Sequence, residues 1–251
     1  MRALITAVWK SEPLMKLRRL KQRLFPRPEY IGIPLDHPLR FAAKCKGLIH
    51  IGAHDGEESW IYNALKVPRV LWVEGDPDLM PRLRAKVSAF RGQSAVEALL
   101  TEKAGETVKF YVTNNDGASS SVLPLGRCSE MYPDIRVTAE KTLFSNTLDR
   151  LLESQDPQAM IDGMVIDVQG AELAVLRGAG PKINQFRWIF AECADFEIYQ
   201  GCCTLKTLSE FLLGEGYNEV KRFPAKVTPG VGTAWDVLFQ RSMKVSDGEK
   251  L

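Results

Sequence analysis

The chain has 251 residues, of which 45% are hydrophobic and 25% are charged, and this composition is typical of a soluble globular protein. The length predicts one large domain with a core of ample size. A formal net charge of +2 excludes a bulk electrostatic attraction to nucleic acid. No apolar run approaches the roughly 20 residues that a membrane helix requires, and no signal peptide is apparent, so we expect a cytoplasmic protein.

Residues 1–40 differ from the rest of the chain, because lysines and arginines crowd among leucines that recur every three or four positions. This spacing predicts a basic amphipathic helix, and the prolines from Pro26 to Pro38 predict a linker after it. We favour a helix that covers the domain; contact with an anionic inner membrane surface is the alternative. The main domain is predicted over 41–243, followed by a polar tail over 244–251.

The first segments of the main domain have the pattern of a Rossmann-like βαβ unit. An apolar run ends at Gly52 and Gly56, and a second apolar run ends at Glu74, 22 residues after Gly52. Glycines let the backbone approach a ligand, and a carboxylate at the second strand end can accept hydrogen bonds from a ribose diol. A tight turn without a ligand is the alternative for the glycines alone.

The charges that follow Gly52 favour one cofactor over another. Asp55, Glu57 and Glu58 would repel the pyrophosphate of a dinucleotide but not S-adenosylmethionine (SAM), which carries a sulfonium and no phosphate. We therefore predict SAM rather than NAD.

Strands and helices alternate through the remainder of the domain, which predicts an α/β fold with a mostly parallel sheet. The segments predicted as strands lie near 47–51, 69–74, 94–100, 108–112, 163–168, 188–192, 217–222 and 234–240. The segments predicted as helices lie near 57–66, 78–90, 171–178 and 205–214.

Several motifs resemble those of FkbM-type SAM-dependent methyltransferases. Ile166–Ala179 resembles the family's Ile-Asp-Val-Glu-Gly-Ala-Glu signature, and His50–Gly56 its Asp-x-Gly-Ala-Asn-x-Gly motif. Val73–Pro77 and Thr147–Asp149 resemble two further motifs, and the match covers roughly residues 45–240. The resemblance implies a class I methyltransferase with a seven-stranded sheet and helices on both faces.

The same resemblance implies methyl transfer to a hydroxyl, for which we expect a sugar or glycan acceptor. N-methylation is an alternative. His50 stands where the family often has Asp, His54 where it commonly has Asn, and Gln169 where it usually has Glu. These departures leave open a SAM-binding module with weak or lost catalysis.

The carboxyl ends of parallel strands meet at one edge of such a sheet, where the ligand cleft lies. From this rule and the resemblance we predict twelve cofactor-binding residues: His50, Gly52, Ala53, His54, Gly56, Ser59, Glu74, Gly75, Asp76, Ala98, Leu99 and Asp167.

Methyl transfer to oxygen needs a group that accepts the hydroxyl proton. We predict Asp167 as the first candidate, Glu192 as the second and His54 as the third; a helix-capping role is the alternative for Asp167. Glu172 is expected to contact a backbone amide instead. A divalent cation held by Asp167, Glu192 and Asp195 is not favoured, so no metal site is predicted.

Three other features have a structural and a functional interpretation. The loop 114–121 suits either a polyhydroxyl acceptor or a solvated turn. His37 is expected at the surface. Cys202 and Cys203 are expected to be ordinary thiols rather than a redox or metal pair, because five cysteines without a repeated Cys-x-x-Cys frame fit a reducing cytoplasm.

Overall fold

The computed structural model describes residues 33–242. The predicted amphipathic helix, the first part of the linker and the polar tail therefore lie outside the described residues. From Leu35 onward, the described chain forms one compact unit. Within 33–242, no helix combines the length and apolar character needed to cross a membrane.

Ten strands and six α-helices make up the described domain. The strands are β1 Leu48–Ile51, β2 Val70–Glu74, β3 Gln93–Glu97, β4 Leu99–Leu100, β5 Thr107–Thr113, β6 Val137–Asn146, β7 Gly163–Ile166, β8 Trp188–Ala194, β9 Tyr217–Thr228 and β10 Gly232–Arg241. The helices are α1 Ser59–Ala64, α2 Met80–Val87, α3 Cys128–Met131, α4 Leu148–Gln155, α5 Glu172–Arg177 and α6 Leu205–Gly214. Two 3-10 helices span Pro38–Lys44 and Gly180–Gln185.

The main sheet has seven strands in the order β3-β2-β1-β7-β8-β10-β9. The first five are parallel, and β10 runs antiparallel between β8 and β9. β1, β2 and β7 are buried along their whole length, as their continuous apolar sequences predict for parallel strands covered on both faces. The predicted mostly parallel, seven-stranded α/β fold is confirmed.

Helices cover both faces of this sheet. On one face, Ile49 and Ile51 belong to the large core that contains Leu151 of α4, Val175 of α5 and Leu208 of α6. On the other face, side chains of alternate strand residues pack against α1 and the first 3-10 helix: His50 and Trp72 contact Tyr62, and Phe41 contacts Trp188 and Phe190. This alternation decides which strand residues can reach a ligand.

The structure differs from the predicted elements after β2. The strand expected near 94–100 is interrupted at Ala98, and Leu99–Leu100 joins β5 and β6 in a separate three-stranded sheet of order β4-β6-β5. β6 was not predicted, because only one of its residues is buried and its sequence lacks the alternation of a half-buried strand. The hairpin of β5 and β6 carries the loop 114–121 toward the strand ends.

Candidate active site

Two adjoining cavities lie at the carboxyl ends of the parallel strands. The first, which we call the cofactor cleft, is lined by residues at the ends of β1, β2 and β7 and by the β5–β6 hairpin. The second cavity, of about 260 Å³, lies against β8 and the loop that follows it. Asp167, Gln169 and Ala118 line both, so the two cavities meet at the residues just after β7.

Glu74 is a buried carboxylate at the end of β2 in the cofactor cleft. Its Oε2 accepts a hydrogen bond from the backbone N–H of His54 (2.7 Å), and its Oε1 accepts one from the N–H of Asp76 (2.7 Å). Burial raises the pKa of Glu74, and these two amides oppose the rise. The carboxylate is thus held between the first and second strand-to-helix turns, with lone pairs left for a diol.

The remainder of the cofactor cleft is largely apolar. Gly75, Ala98, Leu99 and Phe110 form one wall, which suits a flat aromatic ring. Within residues 33–242, no lysine or arginine lines the cleft, while Glu74 and Asp167 do. This charge distribution fits a sulfonium cofactor such as SAM and disfavours a pyrophosphate.

His54 lines the cofactor cleft with a positive φ of 48°. Its Nε2–H donates to the carbonyl oxygen of Asp116 (2.8 Å), in the loop between β5 and β6. The ring therefore joins the first turn to that loop. A contact between His54 and SAM stays a prediction. Because Nε2 already donates to the Asp116 carbonyl, this nitrogen is not free to accept a proton.

Five residues predicted to bind the cofactor do not line the cleft. His50 points to the opposite face of β1, where its ring stacks on Trp72 (4.7 Å between centroids) and its Nδ1 hydrogen-bonds the Tyr62 hydroxyl (2.9 Å). Burial lowers the pKa of His50 to about 3, so the ring is neutral. The structure corrects the prediction for His50 because strand residues alternate between faces.

The other four are Ala53, Gly56, Ser59 and Asp76, and each makes contacts outside the cleft. The Ala53 amide bonds to the Val73 carbonyl (3.0 Å), and the Ser59 carbonyl accepts from Gln93 (2.8 Å). A Cβ on Gly56 would approach Leu83 of α2 to 2.9 Å, so this glycine serves packing.

Asp76 is the fourth of these residues. It is buried, forms an ion pair with Lys141 of β6, and accepts from the Asp78 amide (3.0 Å). Asp76 therefore ties the second strand-to-helix turn to the β5–β6 hairpin, and the structure assigns it a structural role rather than the predicted cofactor contact.

Asp167 and Glu192 come together where the two cavities meet. Asp167 directly follows β7 and Glu192 lies in β8; each comes one residue after the paired Ile166 and Ala191, and both line the second cavity. The charge on Asp167, together with burial, raises the pKa of Glu192 well above its usual value. Burial also raises the pKa of Asp167, but hydrogen bonds from Glu192 and Gln169 oppose that rise. The ionised form of Asp167 is thus better stabilised than that of Glu192, whose ionisation the neighbouring charge opposes.

Gln169 positions Asp167 and was recognised in the sequence only as a departure from the family. Its Nε2 donates to Asp167 Oδ1 (2.5 Å), and its Oε1 accepts from the Tyr199 hydroxyl (2.6 Å). Gln169 has φ of +55° and Gly170 of +100°, so the chain turns sharply after β7. No motif pointed to Tyr199, which lies in the loop after β8 and reaches Gln169 only in the folded chain.

Glu172 is buried at the start of α5 and lines the second cavity. Its Oε1 accepts from the amides of Val168 (3.0 Å) and Gly170 (3.1 Å), as the expected backbone contact requires. Burial raises the pKa of Glu172 to about 8. Asp236 lies in β10 opposite Glu192 of β8, and burial raises the pKa of Asp236 to about 6.

The loop 114–121 forms part of the wall of both cavities, and Asn114, Asp116 and Ala118 within it are exposed. Ser121 Oγ donates to the Gln169 carbonyl (2.8 Å), and the Ser119 carbonyl accepts from Tyr199 (3.2 Å). Asn115 and Ser119 line the second cavity.

Two further predictions concern histidine and metal. His37 accepts a hydrogen bond from the Leu39 amide (3.2 Å) and caps the first 3-10 helix. The residue is half-buried, whereas the sequence predicted a surface position. Asp195 accepts from the Thr233 amide (2.8 Å). In the part of the chain that the structure describes, no three His, Cys, Asp or Glu side chains are grouped to hold a metal ion.

Comparisons with known proteins show which family the chain resembles. A sequence model described as "Methyltransferase FkbM domain" matches residues 50–219, which is more than half of the chain. A relative named 2-O-methyltransferase NoeI, from Sinorhizobium fredii, is 26% identical over 188 residues, covering 72% of this chain and 75% of the relative.

Two solved structures are similar at lower identity. A precorrin-6y C5,15-methyltransferase from Geobacter metallireducens is 14% identical with a TM-score of 0.44, covering 86% of this chain and all of that chain (100%). Fibrillarin from Aeropyrum pernix, solved with SAM bound, is 14% identical with a TM-score of 0.41, covering 76% of this chain and 65% of that chain.

Proposed function

The chain belongs to the FkbM methyltransferase family, and we propose that it is an O-methyltransferase that moves a methyl group from SAM to a hydroxyl of a sugar or glycan. Membership makes the chain a SAM-dependent methyltransferase. The oxygen acceptor and its sugar character are the proposal.

The observation that carries the proposal is that Asp167 and Glu192 stand side by side on β7 and β8 where the two cavities meet. A hydroxyl must lose its proton when its oxygen takes up a methyl group, so a base has to lie beside the acceptor oxygen. Asp167 lines both cavities and is the member of the pair whose charge is better stabilised. An acceptor hydroxyl in the second cavity can donate to Asp167 and transfer its proton there.

The cofactor cleft provides the other half of the reaction. When bound, SAM supplies the methyl group and its sulfide leaving group. Glu74 would hold the ribose hydroxyls, and the wall of Ala98, Leu99 and Phe110 would enclose the adenine. Gln169 holds Asp167 in one orientation, so that the acceptor oxygen can be aligned with the methyl group.

Two observations favour a sugar hydroxyl as the acceptor. The second cavity combines the Tyr132 and Tyr199 rings with the polar side chains of Asn115 and Ser119, a lining that suits a polyhydroxyl ring. The name of the relative, a 2-O-methyltransferase, refers to an oxygen acceptor.

The test is methyl transfer from isotopically labelled SAM to a panel of mono- and oligosaccharides, with matched amines as the comparison. Labelled product should form on sugars, and NMR should locate the methyl group on an oxygen. Methylation of the amines alone would replace the proposal by N-methyl transfer. SAM binding by calorimetry without turnover on either set would favour a module that has lost catalysis.

A further inference from the structure

Two cysteine thiols face each other in the wall of the second cavity. Cys193 lies in β8, directly after Glu192, and Cys203 lies just before Thr204, the N-cap residue of α6. Their Sγ atoms are 4.0 Å apart, and both residues line the second cavity. We propose that Cys193 and Cys203 are a modification site, at which a hydroperoxide converts the two thiols into a reversible disulfide.

The geometry favours this pair over the neighbouring Cys202 and Cys203. A disulfide spans about 2.05 Å between sulfurs and usually about 4.4–6.8 Å between Cα atoms. Consecutive residues have Cα atoms only about 3.8 Å apart, so a bond between Cys202 and Cys203 would be strained. Cys203 lies outside regular structure, in the segment between β8 and α6, and can move toward Cys193 without breaking a strand or a helix.

The surroundings give the two thiols different roles. A hydrogen bond from Cys193 is the main cause that lowers the pKa of Cys203 to about 7, with smaller contributions from the Leu173 amide and the charge of Arg177. Hydrogen bonding to Cys203 and burial raise the pKa of Cys193. Cys203 is partly exposed whereas Cys193 is buried, so Cys203 is the thiol that a peroxide reaches first and Cys193 is the thiol that resolves the product.

The chemistry balances in two steps. The Cys203 thiolate attacks one oxygen of hydrogen peroxide, the O–O bond breaks, and Cys203 sulfenic acid and hydroxide are formed. The Cys193 sulfur then attacks the sulfenic sulfur, forming the S–S bond and releasing water, with the thiol proton passing to the departing hydroxyl. The peroxide is reduced, the two thiols are oxidised, and an added dithiol reverses the change.

The bond would restrain one wall of the second cavity. It closes a short loop from 193 to 203 that contains Tyr199, whose hydroxyl contacts Gln169 and the Ser119 carbonyl. A consequence for acceptor binding rests on the proposed function, whereas formation of the disulfide does not. Neither cysteine lines the cofactor cleft, so SAM affinity should be retained in the oxidised protein.

The experiment treats the full chain with hydrogen peroxide, blocks the remaining thiols, and maps the disulfide by mass spectrometry. Cleavage after Arg187 and Lys206 leaves Cys193, Cys202 and Cys203 in one peptide, so further cleavage after Glu192 and Glu197 is required. The proposal expects residues 193–197 linked to 198–206 through Cys193 and Cys203, with the link lost after reduction. A bond confined to 198–206, or no bond while Cys203 is oxidised, would overturn it.

Single variants provide the matched controls. Cys202→Ser should keep the link between the two fragments, because this neighbour takes no part in it. Cys193→Ser and Cys203→Ser should each abolish the link, with folding checked by circular dichroism. A link that disappears in Cys202→Ser would contradict the assignment, and the wild-type map decides the matter even where a variant fails to fold.

Discussion

Asp167 and Glu192 lie side by side on the neighbouring parallel strands β7 and β8, each one residue after the paired Ile166 and Ala191. Two half-buried carboxyl groups this close cannot both be ionised at low cost, so the charge of Asp167 raises the pKa of Glu192. Gln169 donates to Asp167 and therefore stabilises the charge on Asp167 rather than on Glu192. Asp167 and Glu192 therefore have unequal roles, although the sequence predicted both as candidates for the group that accepts the hydroxyl proton.

This inequality predicts unequal effects of removing each charge. Asp167→Asn removes the base and should lower kcat by about a hundredfold or more, because a positioned base typically contributes about 10²–10⁴ in rate. Glu192→Gln keeps the shape and the hydrogen-bond donor that a protonated Glu192 provides, so kcat should fall by less than about tenfold. Steady-state kinetics on the acceptor identified by the saccharide panel measures both.

The pH profile distinguishes this assignment from its reverse. Activity should decline as the pH falls through the pKa of Asp167, which burial raises above its ordinary value. That acid limb should persist in Glu192→Gln, since the amide still donates to Asp167. A Glu192→Gln variant with no activity, next to an Asp167→Asn variant of near-normal kcat, would make Glu192 the base.

Glu74 should affect both SAM affinity and stability. Glu74→Ala removes the predicted ribose contact and should weaken SAM binding by at least about tenfold, given roughly 1.5–3 kcal/mol for each charge-assisted hydrogen bond. It also leaves the amides of His54 and Asp76 without their acceptor, so the melting temperature should fall. Glu74→Gln keeps an oxygen for one amide and should lose less stability than Glu74→Ala.

Calorimetry with SAM and thermal unfolding without it separate the two effects. The affinity loss should exceed what the partial unfolding of either variant can explain. If both Glu74 variants bind SAM as tightly as the wild type, Glu74 does not hold the ribose.

Strand-end reasoning located the cofactor cleft because it depends only on topology. Gly52, Glu74, Ala98, Leu99 and Asp167 line one cleft, as expected from strands that end at the same edge of a sheet. The direction in which a single side chain points does not follow from the strand order alone. The motif position of His50 suggested a ligand contact, but the alternation along β1 points its ring toward Tyr62 and Trp72.

Contacts between residues far apart in the chain could not be predicted from the sequence, for a different reason. Tyr199 reaches Gln169, and Cys193 meets Cys203, only because the loop after β8 folds back over the strand ends. The polar strand β6 has no apolar periodicity, so neither it nor the ion pair between Lys141 and Asp76 was predictable from pattern.

Asp76 provides a test of the structural role that the ion pair implies. Asp76→Asn keeps an oxygen for the Asp78 amide but removes the charge opposite Lys141. The melting temperature should fall by several degrees, because a partly buried lysine loses one of its two carboxylates. SAM affinity should change by less than about threefold, since Asp76 does not line the cleft. A large loss of affinity without loss of stability would restore Asp76 to the binding site.

Glu172 should make the stability of the protein depend on pH. Its pKa is raised from the ordinary 4.5 to about 8, mainly by burial, and the Cys203 and Asp167 charges add to the rise. The folded state therefore binds more protons than the unfolded state between these two values. The stabilising effect of the bound proton is complete below the unfolded pKa and is lost as the pH rises through the folded pKa.

Glu172→Gln removes this titration while its amide oxygen can still accept from Val168 and Gly170. The variant should match the wild type at about pH 4 and become the more stable of the two by about pH 9, because only the wild type must then bury a carboxylate. Thermal unfolding across that range measures the difference. Glu153→Gln, at an exposed glutamate of α4, is the matched control and should shift the curve little. Parallel curves for the wild type and Glu172→Gln would show that Glu172 is ionised in the folded protein throughout the range.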